Sequence, residues 1–180
     1  MRPVQHGPAV PSMTNILHTR IQEKIASHML FLLFQIGQDH YALDTSQVAV
    51  VLPLVKLKQM PATAPWVAGV FTYRGQSVPV IDLSQLATGK PSRQRLSTRI
   101  VLVHYPAPGP DSRLLGLVLE KASEIMRRAP SEFRDSGLDH GAAPYLGPVT
   151  DDARGLIQSV QVQDLLPPEV RAQLFPSVEA

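Results

Sequence analysis

Cysteine is absent from the 180 residues, which excludes disulfides, thiolate nucleophiles, sulfur-built zinc sites and most iron–sulfur chemistry. No apolar run approaches the roughly 20 residues that a membrane-crossing helix requires, and the longest, Met29 to Phe34, is the size of a strand. The N-terminus lacks the basic-then-apolar order of a secretory signal, so the cytoplasm is the expected compartment. Charge is also sparse, at 18% of residues. Arg2, Arg20 and Lys24 against Glu23 give the first 28 residues a small positive excess, which leaves 14 bases and 14 acids in residues 29–180. A formally neutral folded part argues against non-specific nucleic-acid binding, which needs uncompensated Lys and Arg.

Chemical motifs are equally thin. The six histidines, at 6, 18, 28, 40, 104 and 140, never fall at a spacing that would hold a metal on one element. No G-x-S-x-G, P-loop or G-x-G-x-x-G sequence occurs. Asp151-Asp152 and the scattered Glu120 and Glu124 read as solvated acids, because adjacent carboxylates in a turn point apart. No catalytic residue, cofactor or metal is expected.

What the chain does have is 44% hydrophobic residues, enough for a packed core, and 17 prolines, which favour short elements and many turns. Residues 1–28 show no strand alternation and read as a leader with a weakly amphipathic stretch from Ile16 to Ile25. The pattern changes so abruptly at Met29 that a natural start there is an expectation, which an intact mass beginning at Met1 would exclude. Beyond it, Met29–Ile36 and His40–Leu43 form a hairpin, Asp44 caps a helical turn over Gln47 to Val50, and Val55 to Met60 is a half-exposed edge strand ended by Pro61.

A second hairpin joins Val70–Tyr73 to Ser77–Leu83 through Arg74-Gly75, with Pro79 at an edge or bulge and Trp66 buried beside it. Ser84 to Ala87 is a helical turn. Ile100–Tyr105 and Leu114–Leu119 make a third hairpin across the proline-rich 106–110, Ala122–Met126 adds a separate strand, and Tyr145–Val149 pairs with Gly155–Val160. About ten short strands without a long amphipathic helix indicate antiparallel β-structure closed into small barrels.

Arg74 is not explained by packing. A turn glycine beside it holds a long guanidinium outward, where it can pair with a local acid such as Asp82 or with a partner's carboxylate or backbone oxygens. The whole run Trp66–Leu83, with Phe34-Gln35-Ile36, Tyr41-Ala42-Leu43, Pro61, Ser97-Thr98-Arg99-Ile100, Leu115–Val118 and Tyr145-Leu146-Gly147 in order, closely resembles the chemotaxis coupling-protein family, the CheW-like domain. The resemblance covers about Met29 to Leu166. At this length it is to the free-standing coupler and not to the like-folded regulatory domain within a kinase.

The resemblance implies an all-β fold with short helices, built as two intertwined five-stranded SH3-like barrels. The expected units are the leader 1–28, a CheW-like domain at 29–166 with subdomains near 29–90 and 91–166 that exchange strands, and a helical tail at 167–180. It further implies a non-catalytic scaffold, peripheral to receptor arrays, that couples the helical tip of a methyl-accepting chemoreceptor to the regulatory domain of a CheA-type histidine kinase. Carried over by position, Val48, Gly69, Arg74 and Gly75 are the expected receptor-binding residues, with Lys121 near a further receptor-sensitive stretch. Val55, Leu57 and Lys58 mark the expected kinase-binding region.

Two departures from the family pattern stand out. Thr72 occupies a position where asparagine is usual, and Val50 one where an acid is common. Each removes a polar partner from the rim and suggests a receptor system outside flagellar chemotaxis, governing surface behaviour or second-messenger output. The competing readings are a small-ligand or peptide sensor using a barrel mouth and a hydrolase with an unrecognised site.

Overall fold

Strands that are apolar without alternation, such as Met29–Phe34 and Ile100–Val103, must be covered on both faces, and the fold is arranged around that demand. The computed structural model describes residues 28–106 and 113–176. Its strands are β1 (Met29–Ile36), β2 (Asp39–Asp44), β3 (Val48–Pro53), β4 (Val67–Tyr73), β5 (Gln76–Asp82), β6 (Arg99–Tyr105), β7 (Arg113–Arg128), β8 (Leu146–Asp152) and β9 (Gly155–Val160). Two short helices, α1 (Leu83–Thr88) and α2 (Pro168–Leu174), complete it, with single 3₁₀ turns at Thr45–Gln47, Pro130–Glu132 and Val162–Asp164. The leader lies outside the described residues except for His28.

Two five-stranded barrels result, and β7 belongs to both. Its first half pairs antiparallel with β6 and parallel with β5, while its second half pairs antiparallel with β1. The first barrel runs β7–β1–β2–β9–β8 and the second β3–β6–β7–β5–β4. The chain therefore starts the first barrel, builds the second, and returns to finish the first. The expected division near residue 90 is corrected accordingly: residues 48–119 make one barrel, and 29–44 with 120–160 make the other.

Burial follows this plan in three clusters. Phe31, Leu33, Ala42, Met126 and Ile157 fill the first barrel; Val78, Val80, Ile100, Leu102 and Val118 fill the second. Between the barrels lies a larger shared core containing Leu32, Phe34, Val101, Val103, Leu115 and Leu117. Neighbouring residues of one strand thus enter different cores. α2 also belongs here, since Val170, Leu174 and the following Phe175 are buried in the shared core and Phe175 stacks on Tyr105 at 5.3 Å. Residues 167–176 of the segment expected as a tail are part of the body, and 177–180 lie outside the described residues.

Four other expectations change. Val48–Val50 is strand, because Asp44 caps an earlier and shorter turn by accepting from the Ser46 N–H at 2.8 Å. Val55–Met60 forms no strand and touches a ladder only where Lys58 bridges Val70. Ala122–Met126 is the continuation of β7. Trp66 is half-buried against the shared core, not enclosed by it. Pro79 pairs with Val70 just before the β5–β7 ladder begins at Val80, so its missing donor breaks no ladder there.

Each barrel seam carries a backbone bridge, that of the first being Arg134 with Val149 of β8 through two hydrogen bonds of 2.9 and 2.8 Å, and the first adds ion pairs. In the second barrel Lys58 and Val70 exchange two backbone hydrogen bonds of 2.9 Å. In the first, Arg154 at the β8–β9 turn reaches Asp152 at 2.8 Å and Glu124 of β7 at 2.5 Å, and Arg128 of β7 lies 4.0 Å from Asp152. These guanidinium contacts hold the Asp152 carboxyl below its ordinary range, chiefly through the Arg154 hydrogen bond.

Candidate functional site

Two residues with positive φ, Arg74 at 49° and Gly75 at 79°, turn β4 into β5 after the closing pair Tyr73–Gln76. This is the mirror-image turn whose twist suits a hairpin. A non-glycine residue in the left-handed region works against its own local preference, so Arg74 is held there by the hairpin. Its guanidinium carbon stands 5.3 Å from the Tyr73 ring centroid, a cation–π contact. Asp82 is not its partner. That carboxylate accepts from Gln85 N at 3.1 Å, Ser92 N at 2.8 Å and Ser92 Oγ at 2.7 Å. Arg74 forms no ion pair among the described residues.

Arg74 and Tyr73 line a groove of about 340 Å³ with Ala49 and Val50 of β3 and Leu114 of β7. Val48 opens β3 beside this groove, half-buried and paired with Val103. The structure thus places the β3 start and the Arg-Gly turn on one surface. Gly75 is exposed at the turn. Thr72 is exposed opposite Ser77, and Val50 lines the groove.

Gly69 has a structural explanation. It is buried with φ 141°, and a Cβ there would lie 2.5 Å from the Lys58 carbonyl oxygen and 3.0 Å from Leu57 Cβ. Only glycine admits the close approach that closes the second barrel.

Lys121 lies elsewhere. It is exposed at φ 51°, on the bulge where β7 passes between barrels and three residues face Phe34 of β1. It lines a separate polar pocket of about 300 Å³ with His40, Ser123 and Arg154. Seven strand positions from Leu114 correspond to roughly 23 Å, so Lys121 and Arg74 are distinct patches. Val55 and Leu57 line a third groove of about 490 Å³, with Val55 41% exposed, while Lys58 is exposed on its margin. The opposite wall, Pro91–Gln94, had no signal in the sequence, because it is placed by bonds to Asp82 and Glu120 far along the chain.

The displaced protonation equilibria all move away from neutrality. Asp152 goes down, Arg154 goes up through its Asp152 hydrogen bond, and burial raises Tyr41, Tyr105 and Tyr145. Among the described residues no group of three His, Cys, Asp or Glu is placed to hold a metal ion, and no helix is long and apolar enough to cross a membrane.

These features define a double-barrel β-domain whose unexplained side chains lie on outward-facing turns and grooves. The CheW-like domain matches residues 30–169, and the chain belongs to that family. It is 26% identical over 106 residues to the chemotaxis protein CheW of Helicobacter pylori, covering 59% of this chain and 61% of that one, so it spans about three-fifths of that relative. The fold is similar to the crystal structure of the scaffolding protein TtCheW from Thermoanaerobacter tengcongensis, with a TM-score of 0.69 and 19% identity over 79% of this chain and 90% of that one.

Proposed function

We propose that the protein is a non-catalytic cytoplasmic adaptor that couples the tip of a methyl-accepting chemoreceptor to the regulatory domain of a CheA-type histidine kinase. One observation carries this reading: Arg74 is held in a left-handed turn, without an acidic partner among the described residues, on the rim of a groove of mixed polarity shared with β3 and lined also by Gln76 and His104. An exposed arginine on a groove rim, desolvated when a partner covers it, is an anchor type that dominates protein interfaces. The receptor face is the surface of Val48, Arg74 and Gly75; Gly69 supports it from beneath, and Lys121 forms a second contact patch. Val55, Leu57 and Lys58 belong to the kinase face. The names of the two relatives, a chemotaxis protein and a scaffolding protein, support the same reading.

The changed rim at Val50 and Thr72 points to a dedicated receptor outside flagellar chemotaxis. The test is co-purification of the full chain with receptor tip fragments and with the kinase regulatory domain, before and after Arg74→Glu. The reading expects both partners to be retained by the parent and the receptor tip to be lost by the variant. Retention of neither partner by the parent refutes it, and equal retention of flagellar receptor tips refutes the dedicated pathway.

A further inference from the structure

The formal neutrality of the folded part conceals a division of charge between the barrels. Residues 48–119 hold eight Lys or Arg against two acids, whereas residues 29–47 and 120–180 together hold six against twelve. All ion pairs among the described residues fall between residues 124 and 154. Among the described residues no Lys or Arg of the second barrel forms an ion pair, and four of them lie on the two segments that flank one groove.

That groove is the 490 Å³ slot beside Val55 and Leu57. Lys56 lines one wall and Pro91, Ser92 and Gln94 line the other; the loop 90–97 that supplies them joins α1 to β6 and carries exposed Lys90, Arg93 and Arg95 beside the slot. Asp82 also lines the slot, with both carboxylate oxygens engaged by Gln85 N, Ser92 N and Ser92 Oγ. None of the four cations forms an ion pair among the described residues. The loop is pinned along its length. Asp82 takes two bonds from Ser92, Glu120 Oε1 accepts from Arg93 N at 2.8 Å, and Thr98 Oγ1 donates to the Arg93 carbonyl at 2.5 Å. A further bond from Arg99 reaches the Leu96 carbonyl. On this fixed frame Leu96 is 95% exposed. A preorganised loop that presents a bare leucine between unpaired cations loses little freedom on binding.

We propose that the slot between residues 54–59 and 90–97 binds an acidic peptide segment of a partner protein. An apolar anchor of that segment rests against Val55 and Leu57, and its carboxylates meet Lys56 in the slot and Lys90, Arg93 and Arg95 on the adjoining loop, whose exposed Leu96 adds a second apolar contact. Clustered arginines suit carboxylates because the guanidinium fork binds them bidentately. A nucleic acid fits less well, since no aromatic ring lines the slot for a base to stack on. A lipid surface fits less well too, because its plane does not reach the floor formed by Leu54 and Val118. The slot shares Val55 and Leu57 with the kinase face, and to that extent the inference rests on that reading; its chemistry holds for any protein that presents the segment.

The test is fluorescence anisotropy of the full chain with a labelled alternating Glu-Leu peptide and its Gln-Leu counterpart. The Glu-Leu peptide is expected to bind about tenfold more tightly, with affinity falling as salt rises from about 50 to about 300 mM. Arg93→Glu with Arg95→Glu should lose about that factor and Leu96→Ser should weaken both peptides, with thermal unfolding unchanged for these exposed positions. Should the double variant fail to fold, Lys56→Glu on the facing wall is expected to give the same loss. Equal binding of the two peptides, or variants that bind like the parent, overturns the inference. So does a DNA duplex or an anionic phospholipid vesicle that outcompetes the peptide, or self-association in sedimentation that these variants abolish. If the peptides fail while the kinase regulatory domain still co-purifies, this inference falls and the adaptor reading stands. Peptide binding without kinase capture keeps the slot and removes the kinase from the adaptor reading.

Discussion

Gly69→Ala should damage the fold before it touches any partner. The new methyl would stand 2.5 Å from the Lys58 carbonyl oxygen and 3.2 Å from its carbonyl carbon, both backbone atoms with no rotamer to yield. Relief requires residues 57–58 to retreat, which breaks the two 2.9 Å bonds between Lys58 and Val70. Each such bond contributes about 0.5–1.5 kcal/mol net, and a φ of 141° costs a side-chain-bearing residue about 1–3 kcal/mol. The loss is therefore roughly 2–6 kcal/mol, or about 4–24 °C in Tm at this chain length. Circular dichroism melts and guanidinium titrations of parent and variant measure it. A variant melting within about 2 °C of the parent would refute the close-approach argument and return Gly69 to the candidate interface.

Arg74→Glu is expected to behave oppositely, abolishing receptor-tip binding in pull-downs while moving stability by about 0–1 kcal/mol, as an exposed turn charge does. Trp66→Ala, removing a half-buried ring from the shared core, should cost about 2–4 kcal/mol in denaturant titration, and an unchanged midpoint would show that the ring packs on nothing. Asp152 has a folded-state pKa below its ordinary value of 3.8, so its contribution is present above that pH and fades as pH falls below it; Asp152→Asn should flatten the acid limb of a stability–pH curve. The half-buried Tyr41 and the buried Tyr105 and Tyr145 have folded pKa values above 10.0, so their contribution is full below pH 10 and is lost at more alkaline pH, which spectrophotometric titration of tyrosinate checks.

Hairpins are legible in the sequence because their determinants are local. Arg74-Gly75 marks the β4–β5 turn and the β-branched run Ile100–Val103 marks β6. Pairings between distant segments are not, since nothing in periodicity reveals that β2 lies parallel to β9 or β5 to β7. β7 reads as two strands because Glu120-Lys121 interrupts its apolar run; in the structure that interruption is the bulge where the strand leaves one barrel for the other. Val55–Met60 reads as a strand by alternation, yet without a neighbour along its length it makes a single bridge. Arg74 stands out in the sequence because packing leaves it unexplained. The loop 90–97 does not, because the carboxylates that fix it, Asp82 and Glu120, sit on either side of it in the chain and look like ordinary surface acids.

Because one unbroken strand supplies staves to both barrels, neither half is a module that evolution or a cloning experiment can detach. Pulling, loosening or stiffening one end of that strand reaches the other along covalent bonds, through the bulge at Lys121. Two macromolecules gripping opposite ends of this protein would thereby be joined by a strut of continuous backbone.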